Sequence, residues 1–186
     1  DGDVDLFLVD GSTLENVASG EPGRPPRLFL NDGGGHFEPA GEAWALGGGR
    51  WGMGVAVGDL NGDRYPDVVI TQWGPPRVVL NRGGASFEEI GERSGLAGSR
   101  WGTSAALFDY DRDGALDLAI ANYLAFDPAE IVAPGMPGAC RWKGQEVMCG
   151  PEGLTPVHDQ LFRGHGDGTF EDVTVKAGMR PEQAAF

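Results

Sequence analysis

Short apolar runs, bounded by Gly, Pro, Asn or Asp, recur along the chain. In its middle they predict four strands, near Gly54–Gly58, Asp67–Thr71, Arg77–Asn81 and Ser86–Ile90. The glycines of Asn81–Ala85 can adopt positive φ, so this segment predicts a hairpin turn between the last two strands. The pattern therefore indicates an all-β protein made of short antiparallel strands.

The strand pattern repeats with an offset of 50 residues. Trp51–Asp59 aligns with Trp101–Asp109, and Leu28–Glu38 aligns with Val78–Glu88 at the same offset. A third copy of the second motif lies at Gln160–Glu171. Four antiparallel strands in a unit of about 50 residues are typical of a β-propeller blade.

The repeats divide the 186 residues into one propeller segment of about three blades. We predict a partial blade over 1–50, a blade over 51–100, and a blade over 101–186 with an insert at about 124–158. Three blades do not close a ring, because propellers have about four to eight blades. The chain is therefore predicted to be a fragment of a larger propeller, or a piece that other chains complete.

Oxygen-bearing side chains occupy positions 1, 3, 5 and 9 of the loop Asp59–Asp67, and the spacing returns in Asp109–Asp117. Asp1–Asp5 fits the second half of such a loop, followed by an apolar run. Carboxylates this close repel one another unless a cation lies among them. Oxygen ligands on a flexible turn suit Ca²⁺, which accepts irregular geometry better than Mg²⁺ does.

These loops are not EF-hands. An EF-hand requires a bidentate Glu at position 12 and a helix on each side, and position 12 is Ile70 in one loop and Ile120 in the other. Predicted strands, beginning near Asp67 and Asp117, follow both loops. Each loop is therefore expected to join two strands.

The formal net charge of −14 limits the classes of partner that the protein is expected to bind. An acidic surface repels phosphate backbones, so nucleic acid is not expected as a partner. No apolar run reaches the roughly 18–20 residues that a membrane-spanning helix needs. Two Ca²⁺ ions would offset about four of the negative charges.

Cys140 and Cys149, the two cysteines, lie in a segment rich in Pro and Gly, and no His stands at zinc-site spacing from them. A disulfide is favoured over a metal site, with two reduced thiols in a cytosolic protein as the alternative. Ca²⁺ loops of modest affinity need extracellular calcium, so we expect an extracellular or periplasmic location.

The loops and the Asn-x-Gly-x-x-x-Phe-Glu pattern resemble FG-GAP or VCBS repeats, as in integrin α-subunits and in cartilage acidic or ASPIC/UnbV-associated proteins. Arg163 replaces the Asn in the third copy. The resemblance implies Ca²⁺ in the loop between a blade's first two strands, held by side chains at positions 1, 3, 5 and 9 and the carbonyl at position 7. The implied metal ligands are Asp59, Asn61, Asp63, Tyr65 and Asp67, then Asp109, Asp111, Asp113, Ala115 and Asp117, with Asp1, Asp3 and Asp5 in the partial loop. Because Asn61 replaces a carboxylate, the first full loop is expected to bind the ion more weakly than the second.

Three functions remain open at this point. The first is a non-enzymatic, secreted, Ca²⁺-stabilised module for protein or glycan binding or for cell adhesion, with no catalytic residue. The second is a polysaccharide lyase or sugar dehydratase, since some such enzymes resemble proteins built on these repeats. The third is a scaffold subunit that docks through the insert carrying Cys140 and Cys149.

Overall fold

The computed structural model describes residues 2–98, 100–125, 127, 135–147, 149 and 155–179. Over these residues the chain is nearly all β, as predicted. The strands are β1 Leu6–Leu8, β2 Arg27–Asn31, β3 Phe37–Pro39, β4 Gly52–Gly58, β5 Asp67–Gln72, β6 Arg77–Asn81, β7 Phe87–Glu89, β8 Gly102–Phe108, β9 Asp117–Asn122, β10 Cys140–Trp142, β11 Gln145–Val147, β12 Gln160–Gly164 and β13 Phe170–Asp172. A short helix, α1, spans Leu14–Ser19, and 3₁₀ turns span Glu42–Trp44 and Gly91–Ser94.

The strands form antiparallel sheets in chain order. One sheet has the order β1-β2-β3, the next β4-β5-β6-β7, and the third β13-β12-β9-β8. The hairpin β10-β11 forms a separate two-stranded sheet inside the connection from β9 to β12. The two four-stranded sheets have the strand content predicted for propeller blades, while the residue boundaries of the blades and the existence of further blades stay predictions.

The helix α1 was not predicted from the sequence. Thr13 caps its first turn, since its hydroxyl accepts the N–H of Asn16 at 3.2 Å. Gly20 ends the helix in the left-handed conformation, with φ of 77°. Six residues are too few to give a clear helical period, and for this reason the strand-like pattern dominated the sequence.

The strand register corrects one sequence alignment. Val68 pairs with Val79 in the second sheet, and Leu118 pairs with Phe162 in the third. These pairs place Arg163 at the position of Leu80 and not at that of Asn81, the next residue. The alignment from the sequence was wrong by one position because it matched the starts of the motifs and not the strand pairs that fix the register.

The hydrophobic core lies between the sheets. One cluster joins the second sheet to the third through residues such as Val78, Leu80, Leu118 and Phe162, none more than 3% exposed. A smaller cluster joins the first sheet to the second and includes Phe7, which contacts Phe87 edge-on at 6.0 Å. Burial of apolar side chains between neighbouring sheets thus holds consecutive sheets against one another.

The antiparallel order separates the connections into two groups. The loops from β4 to β5 and from β8 to β9 lie at one end of the strands, together with the Gly-rich hairpins. The connections carrying α1, the β10-β11 hairpin and the 3₁₀ turns leave the strands at the other end. The Asp-rich loops therefore share one end of the molecule, and the connection that contains the insert leaves β9 and enters β12 at the opposite end.

Candidate metal-binding loops

The ninth carboxylate of the first full loop is buried at the start of β5. Asp67 is 0% exposed, and it accepts the N–H of Leu60 at 2.8 Å and that of Asn81 at 2.8 Å. Burial raises the pKa of Asp67, the two N–H donors lower it, and the charges of Asp63 and Asp59 raise it further. The carboxylate joins the loop to the third strand of its sheet.

The same junction occurs in the second full loop. Asp117 is 0% exposed and accepts the N–H groups of Tyr110 at 2.8 Å and Gly164 at 2.9 Å. In the first sheet, Asp5 accepts the N–H of Asn31 at 2.9 Å, although this carboxylate is exposed. The ninth Asp thus has one structural role in all three sheets.

The first carboxylate of each loop organises the turn. Asp59 accepts the N–H groups of Gly62, Asp63 and Arg64 at 2.8, 3.2 and 2.8 Å. Gly62 and Arg64 both adopt positive φ, at 77° and 70°. Position 6 of this loop is Arg64 and not Gly, and Arg64 nevertheless adopts the left-handed conformation that the turn requires.

Asp109 plays the same part in the second loop. It accepts the N–H of Asp113 at 3.2 Å and that of Gly114 at 3.1 Å. Here Arg112 and Gly114 have φ of 64° and 91°. The two loops exchange Gly and Arg between positions 4 and 6, yet both positions stay left-handed, so the backbone path is common to the two loops.

Three carboxylates of the second loop converge. Asp109, Asp111 and Asp117 offer oxygen atoms that all lie within 4.8 Å of one another. In the part of the chain that the structure describes, no other group of three His, Cys, Asp or Glu residues lies this close. An all-oxygen set on a turn fits a hard divalent cation such as Ca²⁺.

Asp113, the predicted ligand at position 5, faces a guanidinium from β12. Arg163 Nη2 donates to Asp113 Oδ2 at 2.6 Å, and Arg163 Nε lies 2.8 Å from Asp111 Oδ2 as an ion pair without an aligned hydrogen bond. The N–H of Ala115 and then Arg163 hold the pKa of Asp113 below its usual value. These contacts raise the pKa of Arg163, chiefly through Asp113.

In the first full loop, the side-chain amide of Asn61 hydrogen-bonds to Asp63. Asn61 Nδ2 donates to Asp63 Oδ2 at 3.0 Å, and the N–H of Asp63 donates to Asn61 Oδ1 at 3.0 Å. The N–H of Tyr65 donates to Asp63 Oδ1 at 2.9 Å. The amide thus takes the place of a carboxylate in the loop, and the predicted ligand roles of the Tyr65 and Ala115 carbonyls stay predictions.

The partial loop at the start of the chain is described from residue 2, so the predicted ligand Asp1 lies outside the described residues. Asp3 lies against the β2-β3 hairpin, where a Cβ on Gly33 would stand 3.0 Å from Asp3 Oδ1. Asp5 begins the chain segment that leads into β1. Of the three predicted ligands, two are placed near the hairpin of their own sheet.

The opposite end of the molecule holds a cavity of about 800 Å³ that the sequence did not indicate. It lies beside α1 and is lined by Arg50, Gln72 and Trp73, among others. The guanidinium of Arg50 stands 5.6 Å from the centre of the Trp73 ring. Trp73 is half-buried here, whereas Trp142 on the insert hairpin is 63% exposed.

The insert hairpin is closed by a disulfide between Cys140 and Cys149, in agreement with the prediction. Among the described residues, no helix has both the length and the apolar character needed to cross a membrane.

The contact of Arg163 with the second loop is the feature of the candidate site that the sequence interpretation missed. A charged residue at a position that is Leu30 and Leu80 in the other copies was the available signal, but the alignment error removed it. Its partners lie about 50 residues earlier in the chain, and no local pattern connects them.

Comparison with known proteins bears on the same loops. No curated protein sequence matches the chain at a significant level. The family model described as FG-GAP-like repeat matches residues 1–70 and 59–120, which together make up more than half of the chain and include both full loops. The chain, with its repeated β-sheets and Asp-rich loops, belongs to the FG-GAP-like repeat family.

Proposed function

We propose that this protein is a Ca²⁺-stabilised β-propeller module of the extracellular or periplasmic space that binds a protein or glycan partner, with its metal ions in a structural role. The observation that carries the proposal is the convergence of Asp109, Asp111 and Asp117 in a strand-connecting loop whose backbone path is repeated in the loop Asp59–Asp67. No catalytic step is part of this proposal.

Electrostatics explains why an ion would stabilise this fold. Each loop brings several carboxylates together on one turn, in a chain whose formal net charge is already −14. Without a counter-charge, their repulsion opposes the compact state. A divalent ion held by Asp109, Asp111 and Asp117 would connect the loop to the start of β9, because Asp117 is the first residue of that strand.

The disulfide supports a location outside the cytosol. Cys140 and Cys149 are joined across the β10-β11 hairpin, and such bonds persist in oxidising compartments. Calcium is also most available in these compartments for loops of modest affinity. The disulfide and the proposed calcium loops favour the same environment.

The partner surface that we propose is the end of the molecule opposite the Asp-rich loops. It carries the cavity of about 800 Å³ near Arg50 and Trp73, and the connection that bears the exposed Trp142 leaves and re-enters the sheets there. Aromatic and Arg side chains dominate binding energy at many interfaces. Placing partner contacts at one end and metal ions at the other separates recognition from stabilisation.

Thermal unfolding with and without calcium tests the metal. We expect 2 mM CaCl₂, added after chelation, to raise the Tm by several degrees (about 1–2 kcal/mol per occupied site) relative to EDTA. Equal concentrations of MgCl₂ are expected to raise it less, because Mg²⁺ demands stricter octahedral geometry.

Matched variants locate the effect. Asp109→Asn removes one carboxylate from the second loop, and Asp10→Asn removes one that lies outside the loops and pairs with Arg27 at 3.4 Å. The calcium-dependent rise in Tm is expected to shrink in Asp109→Asn and to persist in Asp10→Asn. An unchanged melting curve on adding calcium to metal-stripped protein would contradict the proposal.

A scaffold role is the second candidate, favoured by the shape of the insert. The β10-β11 hairpin is held by the disulfide and presents Trp142, with Lys143 Nζ 4.4 Å from its ring centre. A short, rigid hairpin with an exposed indole suits insertion into a groove of a larger assembly. Trp142→Ala should abolish such assembly while leaving the calcium response unchanged.

A further inference from the structure

The two full loops differ in a way that their motifs do not show. In the second loop, the carboxylates at positions 3 and 5 face the guanidinium of Arg163, at 2.8 Å from Asp111 and 2.6 Å from Asp113. Both carboxylates are predicted metal ligands. A permanent positive charge therefore already lies where the ion's charge would act.

The register shows that this guanidinium is peculiar to the third sheet. The position of Arg163 is occupied by Leu80 in the second sheet and by Leu30 in the first. Leu80 is 3% exposed and packs in the core, close to Gly168 of the next hairpin. An apolar residue at this position contributes no charge to its loop, so the contacts of Arg163 are specific to the second loop.

We propose that Arg163 is a tethered cation of the second loop, which neutralises Asp111 and Asp113 in the absence of metal and competes with Ca²⁺ for them. The competitive half of this inference rests on the proposed calcium function, and the neutralising half does not. The contact geometry carries it, since one guanidinium contacts the two alternate carboxylates at once.

The guanidinium of Arg163 reverses the order of calcium affinity that the two motifs predict. By ligand charge alone, the second loop binds calcium more tightly, because Asp111 stands where the first loop has Asn61. With Arg163 in place, the ion must displace the guanidinium or bind beside it, and both reduce affinity. We therefore expect the first loop to fill at lower calcium than the second.

Metal-free stability tests the neutralising half. In EDTA at low ionic strength, Arg163→Gln should lower the Tm relative to wild type. Arg163→Lys should lower it less, because Lys keeps the positive charge but lacks the planar guanidinium that contacts two carboxylates at once. The matched control is Arg112→Gln, which removes a positive charge from the same loop. Arg112 takes part in none of the salt bridges found among the described residues.

Calcium titration followed by NMR tests the competitive half loop by loop. The amides of Gly62 and Gly114 report the first and second loops separately. In Arg163→Gln, the second loop should gain about tenfold or more in calcium affinity, as expected for removing a unit charge beside a divalent ion. The affinity of the first loop should not change, and Arg112→Gln should have a smaller effect on either loop.

The outcomes separate the two proposals. If both loops bind calcium and Arg163→Gln leaves the affinity of the second loop within threefold of wild type, the tethered-cation inference is wrong and the calcium function stands. If neither loop binds calcium in any variant, the calcium function and the competition with it fail. The metal-free comparison then decides the remaining half, and equal Tm values for Arg163→Gln and Arg112→Gln overturn it.

Discussion

At the scale of single residues, the ninth Asp of each loop has a structural role that does not depend on a metal ion. Asp117 is fully buried, and each of its oxygens accepts a backbone N–H, from Tyr110 at 2.8 Å and from Gly164 at 2.9 Å. Only a group with two acceptor oxygens satisfies both donors, and a buried unpaired N–H is costly. The spacing of the motif therefore has a structural reason as well as a chemical one.

Asp117→Asn measures that role. The amide offers one oxygen, so one buried N–H is left facing an NH₂ group, and we expect a loss of about 2–4 kcal/mol in the free energy of unfolding. Urea denaturation in EDTA separates this loss from metal binding.

Asp5→Asn is the matched control for that change. Among the described residues, Asp5 accepts one N–H, from Asn31, and it is exposed, so its replacement should cost less than about 1 kcal/mol. Equal losses in the two variants would show that burial and the second donor contribute nothing.

At the scale of elements, the connection from the second sheet to the third is fixed by a close backbone contact. The 3₁₀ turn Gly91–Ser94 leads from β7 towards β8, and Gly95 after it adopts φ of 77°. A Cβ on Gly95 would meet the carbonyl oxygen of Phe170 in the last strand of the next sheet. The connection thus packs directly against β13, with no room for a side chain.

Gly95→Ala should be much more harmful than Gly91→Ala. Both positions have positive φ, but a Cβ at Gly91 has nothing within 4 Å. We expect Gly91→Ala to cost about 1 kcal/mol for the left-handed backbone and Gly95→Ala at least about 2 kcal/mol more, because the sheet must shift. Thermal unfolding by circular dichroism gives the comparison, and similar Tm values would contradict the close packing.

At the scale of the whole molecule, burial is concentrated in the second and third sheets. Every residue of β5 and β6 is buried, and the cluster containing Leu118 and Phe162 extends this core into the third sheet. In the first sheet, no residue of β3 is buried or half-buried. The second and third sheets are therefore expected to have a higher local stability than the first sheet.

Hydrogen exchange should resolve this difference in the 186-residue chain. Paired amides of β5, β6, β9 and β12 should exchange at least about tenfold more slowly than those of β2, since each 1.4 kcal/mol of local stability changes the rate tenfold. The measurement is native-state exchange followed by NMR or mass spectrometry. Uniform protection across the three sheets would show that they unfold as one unit and contradict the difference in burial.

The sequence determined the elements of the fold because each depends on short-range chemistry. The 50-residue repeat, the four strands of the second sheet and the loops Asp59–Asp67 and Asp109–Asp117 follow from apolar runs, turn residues and carboxylate spacing. The strand ends shifted by one or two residues, as between the predicted Gly54–Gly58 and the observed Gly52–Gly58. The pairing of Cys140 with Cys149 was also accessible, since the chain has no other cysteines.

Only the tertiary structure decided what lies beside each loop. Strand pairing brings Arg163 to Asp111 and Asp113 across about 50 residues of sequence, and it gives Leu80 a buried place at the equivalent position. The short helix α1 and the cavity next to it likewise depend on packing between connections. A motif specifies its own atoms, but the charges of the neighbouring strand are set by register, and register is fixed only when the whole sheet forms.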